Sequence, residues 1–377
     1  MSAADPYVVL GASTQEEDEL ARAVDDLVGS ACTLEDAHRA ADGVPPGRPA
    51  WHRLGDELAL VGLHLPESLG GQGQTFAVHA AVVAALGRRL APVPYLPVLG
   101  SALTLLAGGT SPAQRDRWLP AVLAGESIVV VAGLDAGWTS SAGEPDVVVS
   151  DGPGGPRLSG TTSPVVQGAD ADLLLVVADG RVLAVDPADA EVGVEPLETL
   201  DLTRPRARFR LDDVAAEALG SVDAALLRRA LLEATTLVAV DGVAAARACL
   251  VATIHYATIR TQFDRPIGSF QAVQHALADL FGEVASAEAA VDLAVRALSG
   301  TPDAPSSVVE AVRVARVASA EALSRAARDG VHLHGGIGFT WEHDAHLFLR
   351  RAMTDRSLLG DPTLHRRELA RALVAAS

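Results

Sequence analysis

The chain of 377 residues contains no lysine, and all 30 of its basic residues are arginine. That absence removes a P-loop lysine, a Schiff-base lysine and a kinase-type lysine together. There are only two cysteines, Cys32 and Cys249, far apart and in helical surroundings. Neither a disulfide framework nor a CxxC metal site fits them, and a reducing, cytoplasmic compartment is expected. Aromatic residues are scarce at 4% while hydrophobic residues reach 49%, so the interior is built from Ala, Leu and Val. Such an interior suits close-packed helices better than a large sandwich. The opening MSAADPYVVLG lacks a basic start and a long apolar core, and no uninterrupted apolar run has the length of a bilayer span. Neither export nor a membrane partner is expected. A net charge of −18 leaves no general basic face for nucleic acid.

What is present divides into three parts, as the length suggests. Residues 1–126 read as a helical domain. Thr14 and Glu17 form a capping box before an apolar face carrying Leu20, Ala23 and Leu27. Trp51–Leu63, Phe76–Leu90 and Pro112–Ala124 continue the helices, the last with Ser111 as cap and Pro112 at its first position. Gly70, Gly71 and Gly73 follow neither a strand nor a lysine, so they read as a tight helix connection and not as a phosphate loop. From about Ser127 the period changes. Ile128–Ala132, Val147–Val149, Leu173–Val177, Arg181–Val185 and Arg206–Leu211 are short β-rich runs, with Asp179-Gly180 as a hairpin signal. Residues 127–215 therefore read as a small antiparallel barrel, and 216–377 as a helical bundle.

The third part centres on Tyr256–His275, YATIRTQFDRPIGSFQAVQH. Between Ser221 and Phe263 there is one glycine and no proline, which predicts a long, largely buried helix. Pro266 stops it, Ser269 is placed to cap the next helix, and Ser307 with Glu310 is placed to cap a third. That third helix ends in VHLHGGIGF, where Gly335, Gly336 and Gly338 allow a sharp turn and close approach to a ligand. A helix over about Glu342–Leu359 and one capped by Asp361 complete the bundle. His334, His343 and His346, with Glu342 and Asp344, lack the i, i+4 histidine pair and third ligand of a zinc site, so no metal is expected.

RTQFDRPIGSFQAVQH resembles the R-x-Q-F-G-x-P-I-x-x-F-Q-x-x-x-H signature of the acyl-CoA dehydrogenase flavoproteins. HGGIGF resembles their Q-x-x-G-G-x-G-[FY] loop, with His332 in place of Gln. WHRLGDELALVGLHLPESLGGQG, GRRLAPVPYL and GTSPAQRDRWLPAVLAGE are similar to the family's amino-terminal domain. The resemblance covers essentially the whole chain. It implies a mostly α fold with a central β-barrel domain, bound FAD, an acyl-CoA substrate, and α,β-dehydrogenation of the thioester. It also implies that Arg260, Gln262, Phe263, Gln271, His332, Gly335, Gly336 and Gly338 meet FAD across a subunit boundary. A guanidinium fork suits paired phosphate oxygens.

The sequence departs from this family at several points. Asp264 stands where Gly is usual. The T-E-P-x-x-G-S-D loop is replaced by GLDAGWTSSAGEPD. In GTTSPVVQGADAD, Pro164 and Val166 replace an aromatic and a Thr that ordinarily meet the flavin. Leu359 occupies the commonest position of the catalytic carboxylate. Other members place that base on the long helix near Ala234, which makes Glu233 the first candidate and Asp241 the second. Either also reads as an ordinary paired helix carboxylate. TWEHDAHLFLRRA resembles the actinobacterial branch, in which two unlike subunits often share FAD sites and act on CoA thioesters of large or branched acids. The partner is then a homologous dehydrogenase chain or a second copy of this one. The alternative function is a non-catalytic subunit that completes the FAD site of that partner.

Overall fold

The computed structural model describes residues 10, 14–43, 47–138, 146–300 and 306–376. In chain order the helices are α1 (Gln15–Ala31), α2 (Leu34–Ala41), α3 (Gly47–His52), α4 (Phe76–Arg88), α5 (Tyr95–Pro97), α6 (Leu103–Gly109) and α7 (Pro112–Leu123). The strands follow as β1 (Val129–Ala132), β2 (Val147–Gly152), β3 (Gly155–Thr161), β4 (Val165–Val166), β5 (Leu173–Ala178), β6 (Arg181–Val185), β7 (Val192–Leu197), β8 (Arg206–Ala215) and β9 (Glu217–Ala218). Then come α8 (Ala224–Ile259), a hairpin of β10 (Thr261–Gln262) and β11 (Arg265–Pro266), α9 (Gln271–Gly300), α10 (Ser306–His334), α11 (Ala345–Asp355) and α12 (Pro362–Ala376).

Two compact units share these elements. One comprises Met1–Pro45, Phe76–Ala91 and Thr236–Ser377. Among its described residues the only strands are the β10–β11 hairpin: α1 packs on α4, α4 on α9, and α10 lies against α9, α11 and α12. The other comprises Pro46–Thr75 and Pro92–Thr235 and holds the strands β1–β9. Helix α8 begins in the second unit and continues through the first.

The nine strands form two sheets, and among the described residues neither sheet closes on itself. Four strands run in the order β1-β5-β6-β9, with β1 parallel to β5. The continuous apolar run of β5 suits its central place between β1 and β6, where Leu173–Val176 are buried. Five more run β2-β3-β8-β4, with β7 also on β8. Strand β8 alternates as half-buried strands do, with Ala207, Phe209 and Leu211 inward and Arg208 and Arg210 outward. A register shift opposite Leu158 and Gly160 leaves Asp212 and Asp213 both exposed before Val214 turns in again. Asp179 and Gly180 both have positive φ and close the β5–β6 hairpin.

The caps hold in part. Thr14 Oγ1 accepts the Glu17 N–H at 3.1 Å, and Ser111 and Gln114 form a full capping box. Asp361 accepts the Leu364 N–H at 2.9 Å. Ser269 is not a cap: its hydroxyl donates to the Pro266 carbonyl at 2.7 Å in a 3₁₀ turn, and α9 starts two residues later. Ser307 lies inside α10, which already runs from Ser306. The helix expected over 342–359 is confined to Ala345–Asp355. Gly71 belongs to a tight connection, since a Cβ there would fall 2.1 Å from the Leu65 carbonyl oxygen. Helix α8, though interrupted by Asp241 and Arg247, is long and apolar enough to cross a bilayer by length and composition, and most of its apolar stretch is buried in the fold.

Candidate functional site

Helix α8 ends at Ile259, and the chain turns back at once: the Arg260 carbonyl accepts the Ile267 N–H at 2.8 Å. Thr261 and Gln262 pair with Pro266 and Arg265, leaving Phe263 and Asp264 as a two-residue loop. Their φ values are +52° and +59°, the left-handed pair that a primed hairpin turn requires. This accounts for the residue at 264. The position favours Gly for backbone reasons, and Asp is among the side chains that tolerate it best. Phe263 is 86% exposed and meets Phe270 edge-on at 6.2 Å, while Arg265 lies 4.0 Å over the Phe270 ring. Arg260 is exposed, and its guanidinium makes no ion pair or hydrogen bond among the described residues. Gln262 and Gln271 are exposed beside it in sequence, at the hairpin and at the first residue of α9.

The glycine loop lies at the C-terminal end of α10. Tyr256 stacks on His334 with ring centroids 4.3 Å apart, and its hydroxyl donates to the His334 carbonyl at 3.3 Å. That contact joins the last turn of α8 to the start of the loop, so the arginine hairpin and the glycine loop sit at one end of the helical unit. A Cβ at Gly335 or Gly336 would meet nothing within 4 Å, and Gly335 has φ +63°. Gly338 differs: it is buried, and a Cβ there would fall 2.8 Å from the Val331 carbonyl oxygen. Two of the three glycines therefore face open space and one closes the turn. His332 is exposed on the last turn of α10.

The two carboxylates named from sequence are both committed. In the sheet-containing unit, buried Glu233 accepts from Arg229 Nε on one oxygen and from the Thr104 hydroxyl on the other. His64 in the same unit is pushed down to about 4 by burial and then by the Arg229 charge, which keeps it neutral. Asp241 in the helical unit is fully buried and pairs at 3.4 Å with Arg351, which is also fully buried. Helix α4 seals it: a Cβ at Gly87 would lie 2.7 Å from Asp241 Oδ1. Arg229, Thr104 and Arg351 are the partners that sequence reasoning missed. Arg229, at i−4 from Glu233, was the one with a local signal.

The turn that carries Leu359 is held from behind. Leu359 and Gly360 have φ of +49° and +89°. The Leu358 carbonyl accepts from Arg316 at 3.0 Å, and the Leu359 carbonyl accepts from His365 Nε2 at 3.0 Å. Burial pushes Arg316 down to about 10 and His365 down to about 4. Asp361 is held below the usual carboxylate range, chiefly by the Leu364 N–H it caps, which is the opposite of what a proton-abstracting base at neutral pH requires.

In the sheet unit the segment 161–167 buries Thr162 and Gln167 and leaves Thr161 and Ser163 exposed. Thr162 Oγ1 accepts the Phe209 N–H at 3.1 Å, Ser163 donates to Asp146 at 2.9 Å, and Val166 pairs with Arg206 in the sheet. Trp138 donates to the Thr235 hydroxyl at 2.9 Å. The remainder of the replaced loop, 139–145, lies outside the described residues.

Comparison with known proteins identifies the family. Residues 14–126 match the acyl-CoA dehydrogenase N-terminal domain and residues 225–374 the acyl-CoA dehydrogenase C-terminal domain. Acyl-CoA dehydrogenase IpdE2 of Mycobacterium tuberculosis (strain ATCC 25618 / H37Rv) is 35% identical over 316 residues, 83% of this chain and 82% of that protein. Among solved structures, a chain of the ChsE4-ChsE5 complex from Mycobacterium tuberculosis superposes with a TM-score of 0.84 at 30% identity, covering 96% of this chain and 98% of that one. A chain of the Tcur3481-Tcur3483 steroid ACAD gives 0.83 at 29% identity, covering 96% and 99%. The chain belongs to the acyl-CoA dehydrogenase family.

Proposed function

We propose that this chain is one subunit of an FAD-dependent enzyme that removes the α and β hydrogens of an acyl-CoA thioester, paired with a homologous chain. The observation that carries this reading is an imbalance in commitment. Among the described residues Arg260 has no side-chain partner and Gly335 and Gly336 face open space, whereas Thr162, Ser163 and Val166 each bond within the sheet unit. Buried polar groups that find partners inside the chain are not offered to a ligand, while an exposed guanidinium without a partner is.

The residues of the helical unit fit the diphosphate end of FAD. Arg260 would pair with phosphate oxygens, Gln262, Gln271 and His332 would add donors, and Phe263 would present a planar apolar face. The hairpin holds the arginine at a fixed point of the backbone, which lowers the ordering cost of binding. Gly335 and Gly336 leave room for backbone N–H groups to approach an anion. The flavin, when bound, accepts the hydride from the β-carbon of the substrate. The segment 161–167 offers less to the flavin ring, because the Thr162 and Ser163 hydroxyls each already make one hydrogen bond within the sheet unit.

Proton abstraction needs a carboxylate free of strong partners. Leu359 cannot supply one, Asp361 caps α12, and Glu233 and Asp241 each carry an arginine. This reading leaves Glu233 and Asp241 in structural roles and gives the base to the partner. Two similar structures are themselves named as pairs, ChsE4-ChsE5 and Tcur3481-Tcur3483, and the second is called a steroid ACAD. They support an unlike partner chain and a bulky acyl group. The limits of the two family matches support a division into 1–126, 127–215 and 216–377, and the cysteine usage supports a cytoplasmic place of action.

Co-expression with a homologous dehydrogenase chain, followed by flavin-to-chain stoichiometry, tests the proposal. The expected result is a mixed oligomer with fewer flavins than chains. One flavin per chain in a homo-oligomer that loses activity on Glu233→Gln would overturn the partner reading. A mixed oligomer without flavin absorbance would overturn the flavin chemistry.

A further inference from the structure

The loop from Gly335 to Asp344 ends in a cluster of rings that the proposed chemistry does not use. His343 Nδ1 accepts the N–H of Ala345, the first residue of α11, at 3.1 Å. A backbone N–H only donates, so this nitrogen must be unprotonated. The imidazole therefore caps α11 only in its neutral form. Its ring lies 4.2 Å from His334 and 6.3 Å from Tyr256. His334 uses Nδ1 to donate to the Gly330 carbonyl at 2.7 Å.

Every element around His343 has a place in its charge balance. Helix α8 offers the Tyr256 ring, α10 offers His334, and α2 offers His38. The adjoining Asp344 is the favourable charge, but its carboxylate already accepts from His38 Nε2. His346 in α11 stands 4.8 Å from Trp341 and 6.1 Å from His38, with Arg350 4.7 Å over the same Trp341 ring. A proton on His343 thus meets a histidine at ring contact, the positive N-terminus of α11, and a carboxylate that is shared.

We infer that His343 is a proton-sensitive cap that fastens the Gly335–Asp344 loop to α11 when neutral and releases it when protonated. The exposed side chains of that loop, Ile337, Phe339 and Trp341, then change their setting with pH. The direction of titration agrees. His343 is held below the ordinary imidazole value, first by burial and then by His334, with Asp344 opposing and His38 adding to the depression. His346 is lowered as well, by burial and then by Arg350. A depressed histidine leaves its contribution intact above the ordinary value of about 6.5 and loses it progressively as pH falls below that.

Backbone hydrogen exchange of the full chain at pH 7.5 and 5.5, corrected for intrinsic chemistry, tests this without flavin. In the wild type the amides of 335–345 should exchange about tenfold faster at pH 5.5. His343→Asn, whose side-chain oxygen accepts the same N–H and does not titrate, should stay protected at both pH values. His343→Ala should exchange fast at both. Unchanged wild-type protection, or the same acid loss in His343→Asn, overturns the inference. NMR on the wild type gives a check independent of variants: the Ala345 amide shift should titrate together with the His343 ring, and an Ala345 amide indifferent to pH overturns the proposal equally.

Discussion

The hairpin at 260–266 and the segment at 161–167 are both short, polar and bounded by regular structure, yet they treat their polar groups in opposite ways. In the hairpin Arg260 and Asp264 are exposed with no side-chain partner among the described residues. In the second segment Thr162 and Ser163 are bonded to Phe209 and Asp146. The difference teaches that resemblance of a motif and availability of its atoms are separate facts. A hydroxyl within a family segment that accepts a strand N–H keeps only its own proton and one lone pair for a cofactor. An exposed arginine after a 36-residue helix, with no side-chain partner among the described residues, is a donor in waiting.

The largest expected effect lies on the committed side. Arg351→Met removes the buried cation that pairs with buried Asp241 and should destabilise the chain by about 3–5 kcal/mol in denaturant unfolding. A loss under about 1 kcal/mol would mean that Asp241 reaches water or another cation, and would revive it as a candidate base. Next comes the uncommitted side. Arg260→Ala should cost about 1.5–3 kcal/mol of flavin affinity, about ten- to a hundredfold, read by titration of the assembled protein. Its unfolding free energy should stay within about 0.5 kcal/mol of the parent, as for a surface side chain. Comparable loss of flavin and of stability would erase the contrast between the two regions.

Thr162→Val should cost about 1–3 kcal/mol of stability, because the Phe209 N–H loses its acceptor inside the sheet. Flavin per folded chain should not change, and a fall there would show that this hydroxyl serves the ring after all. The smallest effect belongs to Asp264→Gly. Relief of a left-handed aspartate should add up to about 1 kcal/mol. Removal of a carboxylate beside the proposed phosphate site should also tighten flavin. Weaker flavin binding in this variant would place a positive partner of Asp264 in the site.

Much of the fold was legible because it rests on local chemistry. A break between α8 and α9 was signalled by Pro266, although α8 ends earlier than expected, at Ile259 and not near Phe263; the β5–β6 hairpin followed from Asp179-Gly180, and the start of α12 from Asp361-Pro362. The errors also have local causes. Ser269 has the composition of a cap but spends its hydroxyl on Pro266. The β-rich runs carried the right spacing for strands and no information on whether their edges would meet, so two open sheets were not distinguishable from one barrel. Glu233 and Asp241 looked alike in sequence as acidic residues in an apolar helix. Of their partners, Thr104 stands 129 residues from Glu233 and Arg351 110 residues from Asp241, and no spacing rule reaches that far.

The sequence by itself determined the family, the order of helical and strand segments, and the presence of an arginine and paired glycines at two helix ends. Periodicity, turn residues and motif spacing act over a few residues and are written directly in the chain. Only the tertiary structure decided which polar groups are spent and which are left. A hydrogen bond or buried ion pair is made with whatever packing brings near, and here packing set Arg351 on Asp241, Thr104 on Glu233 and Phe209 on Thr162. Among the described residues it set no hydrogen-bond or ion-pair partner on the Arg260 side chain.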